Sequence, residues 1–160
     1  MHWNEFESAA PELARLARER FDAKGLVMLG TLRKNGWPRI SPIEYTFFEG
    51  DLMLGGMWQS KKCLDLLRDP RCVIHSATSD KNGQEGDVKV YARALTLEPD
   101  REERYWQHIF ELMGWRPDGP AHVFALDIVS AAYIEFAGDG EGTMRWLKWP
   151  GDGWHTEKHG

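Results

Sequence analysis

Apolar residues recur at helical spacing from Ser8 to Phe21, at Ala9, Leu13, Leu16, Ala17 and Phe21, which predicts an amphipathic helix. Ser8 suits its N-cap, Pro11 falls in the first turn and Gly25 ends the run, so residues 1–25 form an expected helical arm. The period then shortens. Leu26 to Arg33 reads as a strand, Lys34-Asn35-Gly36 as a hairpin turn, and Pro38 to Phe48 as the returning strand. Glu49-Gly50-Asp51 turns the chain again into Leu52 to Gly56, which completes an antiparallel meander.

A short helix is expected from Ser60 to Arg68, with Ser60 as N-cap, Leu64 and Leu67 facing inward, and Asp69-Pro70 as its stop. Strands follow at Arg71 to Thr78 and Asp87 to Leu97, separated by the polar loop Ser79 to Gly86. Glu98-Pro99-Asp100 opens a second long helix over Arg101 to Met113. A long strand from His122 to Phe136, bent near Ser130, and a last one from Thr143 to Trp149 complete the pattern, leaving 150–160 as a loose polar tail. Hairpins far outnumber crossover helices. The expected fold class is therefore mainly β with flanking helices, an antiparallel, closed or nearly closed barrel in one domain spanning 1–160.

Composition narrows the function classes. The chain of 160 residues is 42% apolar and 28% charged with a formal net charge of -5, which suits a globular domain with a real core. No basic stripe supports nucleic acid as a partner, and no apolar stretch approaches the ~20 residues that span a bilayer. Cys63 and Cys72 form no Cys-x-x-Cys or zinc pattern, and the N-terminus lacks a signal-peptide plan, so a cytoplasmic location is expected. The 8 Trp are far more than usual and suit either planar ligands and subunit interfaces or routine core filling.

The chemistry concentrates between Leu52 and Pro70. A strand ends in Gly55-Gly56, passes Met57-Trp58-Gln59 and opens a helix at Ser60-Lys61-Lys62. Free backbone amides and the positive end of the helix dipole meet two lysines and a hydroxyl there, which suits a phosphate. Gly55 and Gly56 allow close approach of a ligand to the backbone, and Trp58 can lie against a planar ring. The plainer reading is a helix start with two solvated lysines.

The run Gly30 to Ser76 resembles the core of the pyridoxamine-phosphate-oxidase-like flavoproteins. It has the Asn35-Gly36-x-Pro38 hairpin, Ser41-Pro42 on the second strand, the Gly50-x-Leu52 turn, a helix carrying lysine, and Asp69-Pro70-Arg71 before the next strand. Ala92-Arg93-Ala94 and Phe124-Ala125-Leu126-Asp127 also resemble the family, so the likeness runs from Leu26 to Phe136. It implies an FMN-binding split β-barrel that dimerises, with a flavin in each of two clefts between subunits. By that likeness Lys62 contacts the cofactor phosphate with Ser60 and Lys61. Arg39, Ile40, Ser41 and Pro42 line the ring and ribityl chain, Met57 and Trp58 approach from the turn, and Lys89 reaches the partner's flavin.

The chain departs from true pyridoxamine-phosphate oxidases at its C-terminus, which lacks their Arg-Leu-x-Pro-like ending, and at Asp87, where they favour glutamine. The expected function is a homodimeric FMN-dependent oxidoreductase that transfers hydride to or from a small organic substrate. Alternatives are a reductase using the 8-hydroxy-5-deazaflavin coenzyme, whose acidic tail would suit Arg33, Lys34 and Arg39, or a flavin- or haem-binding protein without catalysis. An interaction module whose Trp residues serve only dimer packing is a further rival. Trp37, Trp58 and either Trp146 or Trp149 are candidate walls of an apolar cleft with a basic end. No catalytic side chain is assigned. His155 and His159, four apart as metal ligands on a helix would be, and Cys63, near a helix start that can lower a thiol pKa, favour plain structural roles.

Overall fold

The computed structural model describes residues 1–159. The helical arm is two helices, α1 (Trp3–Ala9) and α2 (Pro11–Asp22), instead of one. Ser8 lies inside α1, its hydroxyl donating to the Asn4 carbonyl, and Pro11 starts α2 without a capping side chain. Trp3 and Phe6 extend the apolar stripe upstream of the periodic segment, and both are fully buried.

The strands are β1 (Val27–Leu32), β2 (Pro38–Ile43), β3 (Tyr45–Phe48) and β4 (Asp51–Met57). After α3 (Lys61–Arg68) come β5 (Arg71–Ser76) and β6 (Asp87–Thr96). Helix α4 (Pro99–Met113), β7 (Ala121–Phe136), β8 (Thr143–Trp149) and β9 (Trp154–Lys158) complete the chain. All pairings are antiparallel, and the main sheet runs β2-β1-β5-β6-β7-β4-β3. Its hydrogen-bonded path does not close, since β2 and β3 are its two ends.

The break at Glu44 makes this split. The expected single strand from Pro38 to Phe48 becomes two, β2 pairing with β1 and β3 with β4, so the chain crosses from one end of the sheet to the other. Pro38 and Pro42 cannot donate to a ladder, which suits β2 as an edge strand. Glu49 and Gly50, both at positive φ, form the two-residue turn between Phe48 and Asp51. β7 pairs with β6 along one edge and on the other divides between β4 and β8. Its register slips at Val129, beside the bend expected near Ser130.

Two apolar clusters follow. The larger joins α1 and α2 to the inner face of the sheet, through Phe21, Leu29, Leu54, Ile74 and Val90 among others. The smaller lies under α4 and joins Met53, Val123 and Ala125 to Tyr105, Trp106 and Ile109. β4 is thus buried on both faces, which explains why Leu52-Met53-Leu54 is a continuous apolar run without alternation. Arg101 and Arg104 pair with Glu49, and Arg101 also with buried Asp51, which pins α4 to the β3–β4 turn.

Two further expectations fail. Helix α3 turns Cys63 and Leu66 inward and leaves Leu64 and Leu67 exposed. Both pairs have i,i+3 spacing, and the inward side of the helix also carries Asp65, whose partners lie on β1 and β2. The tail expected to be loose contributes β9, which pairs with β8 from Trp154 to Lys158. His155 and His159 therefore do not share a helical face; they sit 3.3 Å from Asp152 and 3.8 Å from Glu157. Among the described residues no helix is long and apolar enough to cross a membrane, and no group of His, Cys, Asp and Glu is arranged for a metal.

Candidate functional site

The start of α3 lies where β4 leaves the sheet. Gln59, at φ 57, takes the left-handed conformation that turns the chain, and its amide donates to His122 Nε2 at 3.2 Å. An accepting Nε2 puts the ring proton of neutral His122 on Nδ1. The same imidazole stacks on Trp58 at 4.5 Å between ring centroids and 17° between planes. His122 is therefore a positioning residue for Trp58, and sequence reasoning missed it. Its position opposite Gly56 in the β4–β7 register emerges only from the fold.

Gly56 lines the same hollow as Gly55 and also has a packing role. A Cβ there would lie 2.3 Å from Cys63 Sγ, so this glycine lets α3 approach the strand. Ser60 Oγ is buried against the Cys63 thiol, and Ser60 makes no side-chain cap to the first-turn amides of α3. Lys61 is exposed, and Lys62 Nζ donates to the Pro42 carbonyl at 2.7 Å, bridging α3 to β2. Uncapped amides and two ammonium groups fit an anionic group such as a phosphate.

β2 presents two faces. Arg39 and Ser41 alternate with exposed Ile40 and Pro42, so the four side chains do not converge within one chain. Arg39 Nε donates to Asp65 Oδ2 at 2.7 Å, Thr31 donates to the same oxygen, and Arg68 donates to Oδ1. Burial alone would raise the Asp65 carboxyl, but the hydrogen bonds from Arg39, Thr31 and Arg68 outweigh it and hold the group below the ordinary range. Around this buried carboxylate lies an open basic hollow of about 530 Å³ that also takes in Arg33, Lys34 and Lys61. Burial pushes the Cys63 thiol up, against the pull of Ser60 and Lys62, so it is not an activated thiolate.

Lys89 lies apart. The register aligns Pro42, Met28, His75, Lys89 and Ala132 in one row on the outer face, three strands from β2 to β6. Its neighbour His75 has Nε2 3.1 Å from Asp87, and the Asp87 carboxylate raises the imidazole pKa.

The expected tryptophan walls separate as well. Trp37 projects from the β1–β2 hairpin, Trp149 packs edge-on against Phe6, and Trp146 stacks on His155. Of the four, only Trp58 lines the large apolar cavity, which measures about 680 Å³. Tyr105, Trp106, Ile109 and Met113 of α4 form one wall, and Trp115, Pro117 and Pro120 of the following loop form another. Glu44, Tyr45, Thr46, Gly55, Gly56 and Met57 line much of the rest. The spacing of Tyr105, Ile109 and Met113 along α4 was a visible signal for that wall.

The family model of pyridoxamine 5'-phosphate oxidase matches residues 13–135, which is more than half of the chain. No curated protein matches the sequence significantly. Among solved structures, PhzG from Burkholderia lata 383, in complex with tetrahydrophenazine-1-carboxylic acid, is similar at a TM-score of 0.63 and 13% identity, covering 95% of each chain. ChuZ from Campylobacter jejuni is similar at 0.62 and 14% identity, over 81% of this chain and 56% of that one. A heme binding protein from Mycobacterium smegmatis is similar at 0.56 and 20% identity, over 82% of this chain and 57% of that one. At such identities these likenesses establish the fold alone.

Proposed function

The chain belongs to the pyridoxamine 5'-phosphate oxidase family, and from that premise we propose that it is an FMN-dependent oxidoreductase working as a homodimer on a small organic substrate. The observation that carries the reading is the start of α3, where the first-turn amides have no side-chain cap and lie beside Lys61 and Lys62. In this reading Ser60, Lys61 and Lys62 grip the phosphate, and Lys62 exchanges its Pro42 contact for the anion. Arg39 is held by Asp65 and presents a fixed positive charge next to Ser41, while Ile40 and Pro42 offer the opposite face of β2. Met57 and Trp58 border the ring, with Trp58 oriented by His122. The bound flavin supplies hydride transfer, and the chain supplies orientation, water exclusion and charge.

Lys89 fits this scheme through a second copy. On its own chain it stands about 14 Å from β2 at ordinary strand spacing. The exposed outer-face residues Ile40, Tyr91 and Val129 support a partner packed on that face. A reducing cytoplasm suits Cys63 and Cys72, which are buried and unbridged.

Deazaflavin is the second reading, favoured by the basic hollow. Arg33, Lys34 and Lys61 line it, and an acidic tail would find them next to the proposed phosphate grip.

The test is titration of the full chain with FMN and, separately, with the deazaflavin coenzyme, read by flavin fluorescence and thermal shift. FMN is expected to bind, and Lys62→Ala is expected to weaken it by about 1.5–3 kcal/mol, the scale of a charged hydrogen bond. Equal affinity of the variant would misplace the phosphate grip, preference for deazaflavin would favour the second reading, and binding of neither would sink both.

A further inference from the structure

The α4 cavity carries information about what it accepts. Its walls are mostly aromatic and aliphatic, with Trp58, Trp106 and Trp115 as the largest flat surfaces and Glu44 and Thr46 as polar members. A volume of about 680 Å³ suits a body of two or three rings. Among the described residues lining it, Glu44 is the one with a charged side chain, and no lysine or arginine takes part. Glu44 sits at the break between β2 and β3, and its charge helps to raise the Tyr105 phenol, after the larger effect of burial. An anionic group carried into this cavity would lose its water without gaining a cation, and would meet a carboxylate already present.

We propose that the α4 cavity binds a flat aromatic molecule of two or three rings bearing no anionic group, neutral or cationic. As a statement about substrate this rests on the flavin reading, which gives the cavity its chemistry. The link is the chain itself: Met57 and Trp58 line the cavity, and Ser60 and Lys61, the next residues but one, begin the proposed phosphate grip. A phosphate-bearing amine of the pyridoxamine type would find no partner for its phosphate among the cavity walls.

The experiment uses the full chain and two probes with one skeleton: neutral N-phenyl-1-naphthylamine and 1-anilinonaphthalene-8-sulfonate, which adds a sulfonate. Fluorescence titration is expected to show the neutral probe bound about tenfold or more tightly than the sulfonate, a gap of about 1.4 kcal/mol or more. Glu44→Gln, at an exposed position, should narrow the gap, and Met113→Lys, which adds a cation at the exposed rim, should narrow it further. Trp106→Ala should weaken the neutral probe wherever the variant retains its circular dichroism. A steric effect of the sulfonate would not respond to these charge changes, and binding elsewhere on the surface would respond to none of the three. The proposal is overturned if the sulfonate binds as tightly as the neutral probe, if neither probe binds, or if Glu44→Gln and Met113→Lys leave the ratio unchanged. FMN titration in parallel separates the two failures. FMN bound without either probe defeats the cavity assignment alone, and selective neutral-probe binding without FMN defeats the flavin reading alone.

Discussion

Two hollows flank the segment that joins β4 to α3, and they are chemical opposites. The α4 cavity is walled by aromatic rings and carries one carboxylate, whereas the hollow between α3 and the β1–β2 hairpin gathers Arg33, Lys34, Arg39, Lys61 and Arg68 around the buried Asp65. The apolar one lies between helix and sheet with an exposed rim at Met57, Met113 and Trp115; the basic one is more open to solvent. An apolar space holds a ligand by desolvation and shape, while an open basic one holds it by charge and yields to salt. Met57 to Lys61 is the short bridge where the two chemistries meet.

The largest expected effect comes from removing the anchor of the basic side. Asp65→Ala deletes a 4% exposed carboxylate that holds Thr31, Arg39 and Arg68, and leaves Arg39 with an uncompensated charge. A loss of about 2–4 kcal/mol in urea unfolding is expected, the lower part of the buried-pair range because both arginines are partly solvated. A loss below about 1 kcal/mol would mean that the cations hold their arrangement without the carboxylate.

Gly56→Ala attacks the bridge. The new methyl would meet Cys63 Sγ, so α3 must shift, at an expected cost of about 1–3 kcal/mol in thermal or urea unfolding. Adding Cys63→Ala removes the opposing sulfur and should restore most of the loss; a double variant no better than the sum of the single ones would assign the glycine another role.

The smallest effect tests how far the cationic side extends across the outer face. The His75 pKa lies above its ordinary 6.5 because of Asp87, and that of Asp87 lies below its ordinary 3.8 because of His75. Stability from the raised imidazole is full below 6.5 and fades as pH rises through the folded value, while that from the depressed carboxyl is lost only as pH falls through its own. The penalty of His75→Gln should therefore be larger near about pH 5.5 than near about pH 8.5, and below about 1 kcal/mol, since both groups are about a third exposed. A penalty that grows with pH would reverse the assignment.

Much of this was legible in the order of the residues. The change from helical to alternating period marks where the arm ends and β1 begins, Asn35-Gly36 marks the first hairpin, and the run from Gly55 to Lys62 puts the elements of the proposed anion grip next to one another along the chain. The second half of the site was not. Asp65 meets Thr31 across 34 positions and Arg39 across 26, and His122 meets Gln59 across 63. The tryptophans at 37, 146 and 149 looked equivalent to Trp58 in composition, yet only the sheet order separates them from it.

Local pattern by itself determined the element types, the turns and the polarity of α3's first residues, because backbone sterics, capping and side-chain period act within a few positions. The tertiary structure alone decided where Pro38–Phe48 breaks, which of two i,i+3 pairs on α3 is buried, and that α4 closes an aromatic cavity over β4. Each of those outcomes depends on which distant element covers a face, and burial free energy is settled by that covering surface rather than by the residue that is covered.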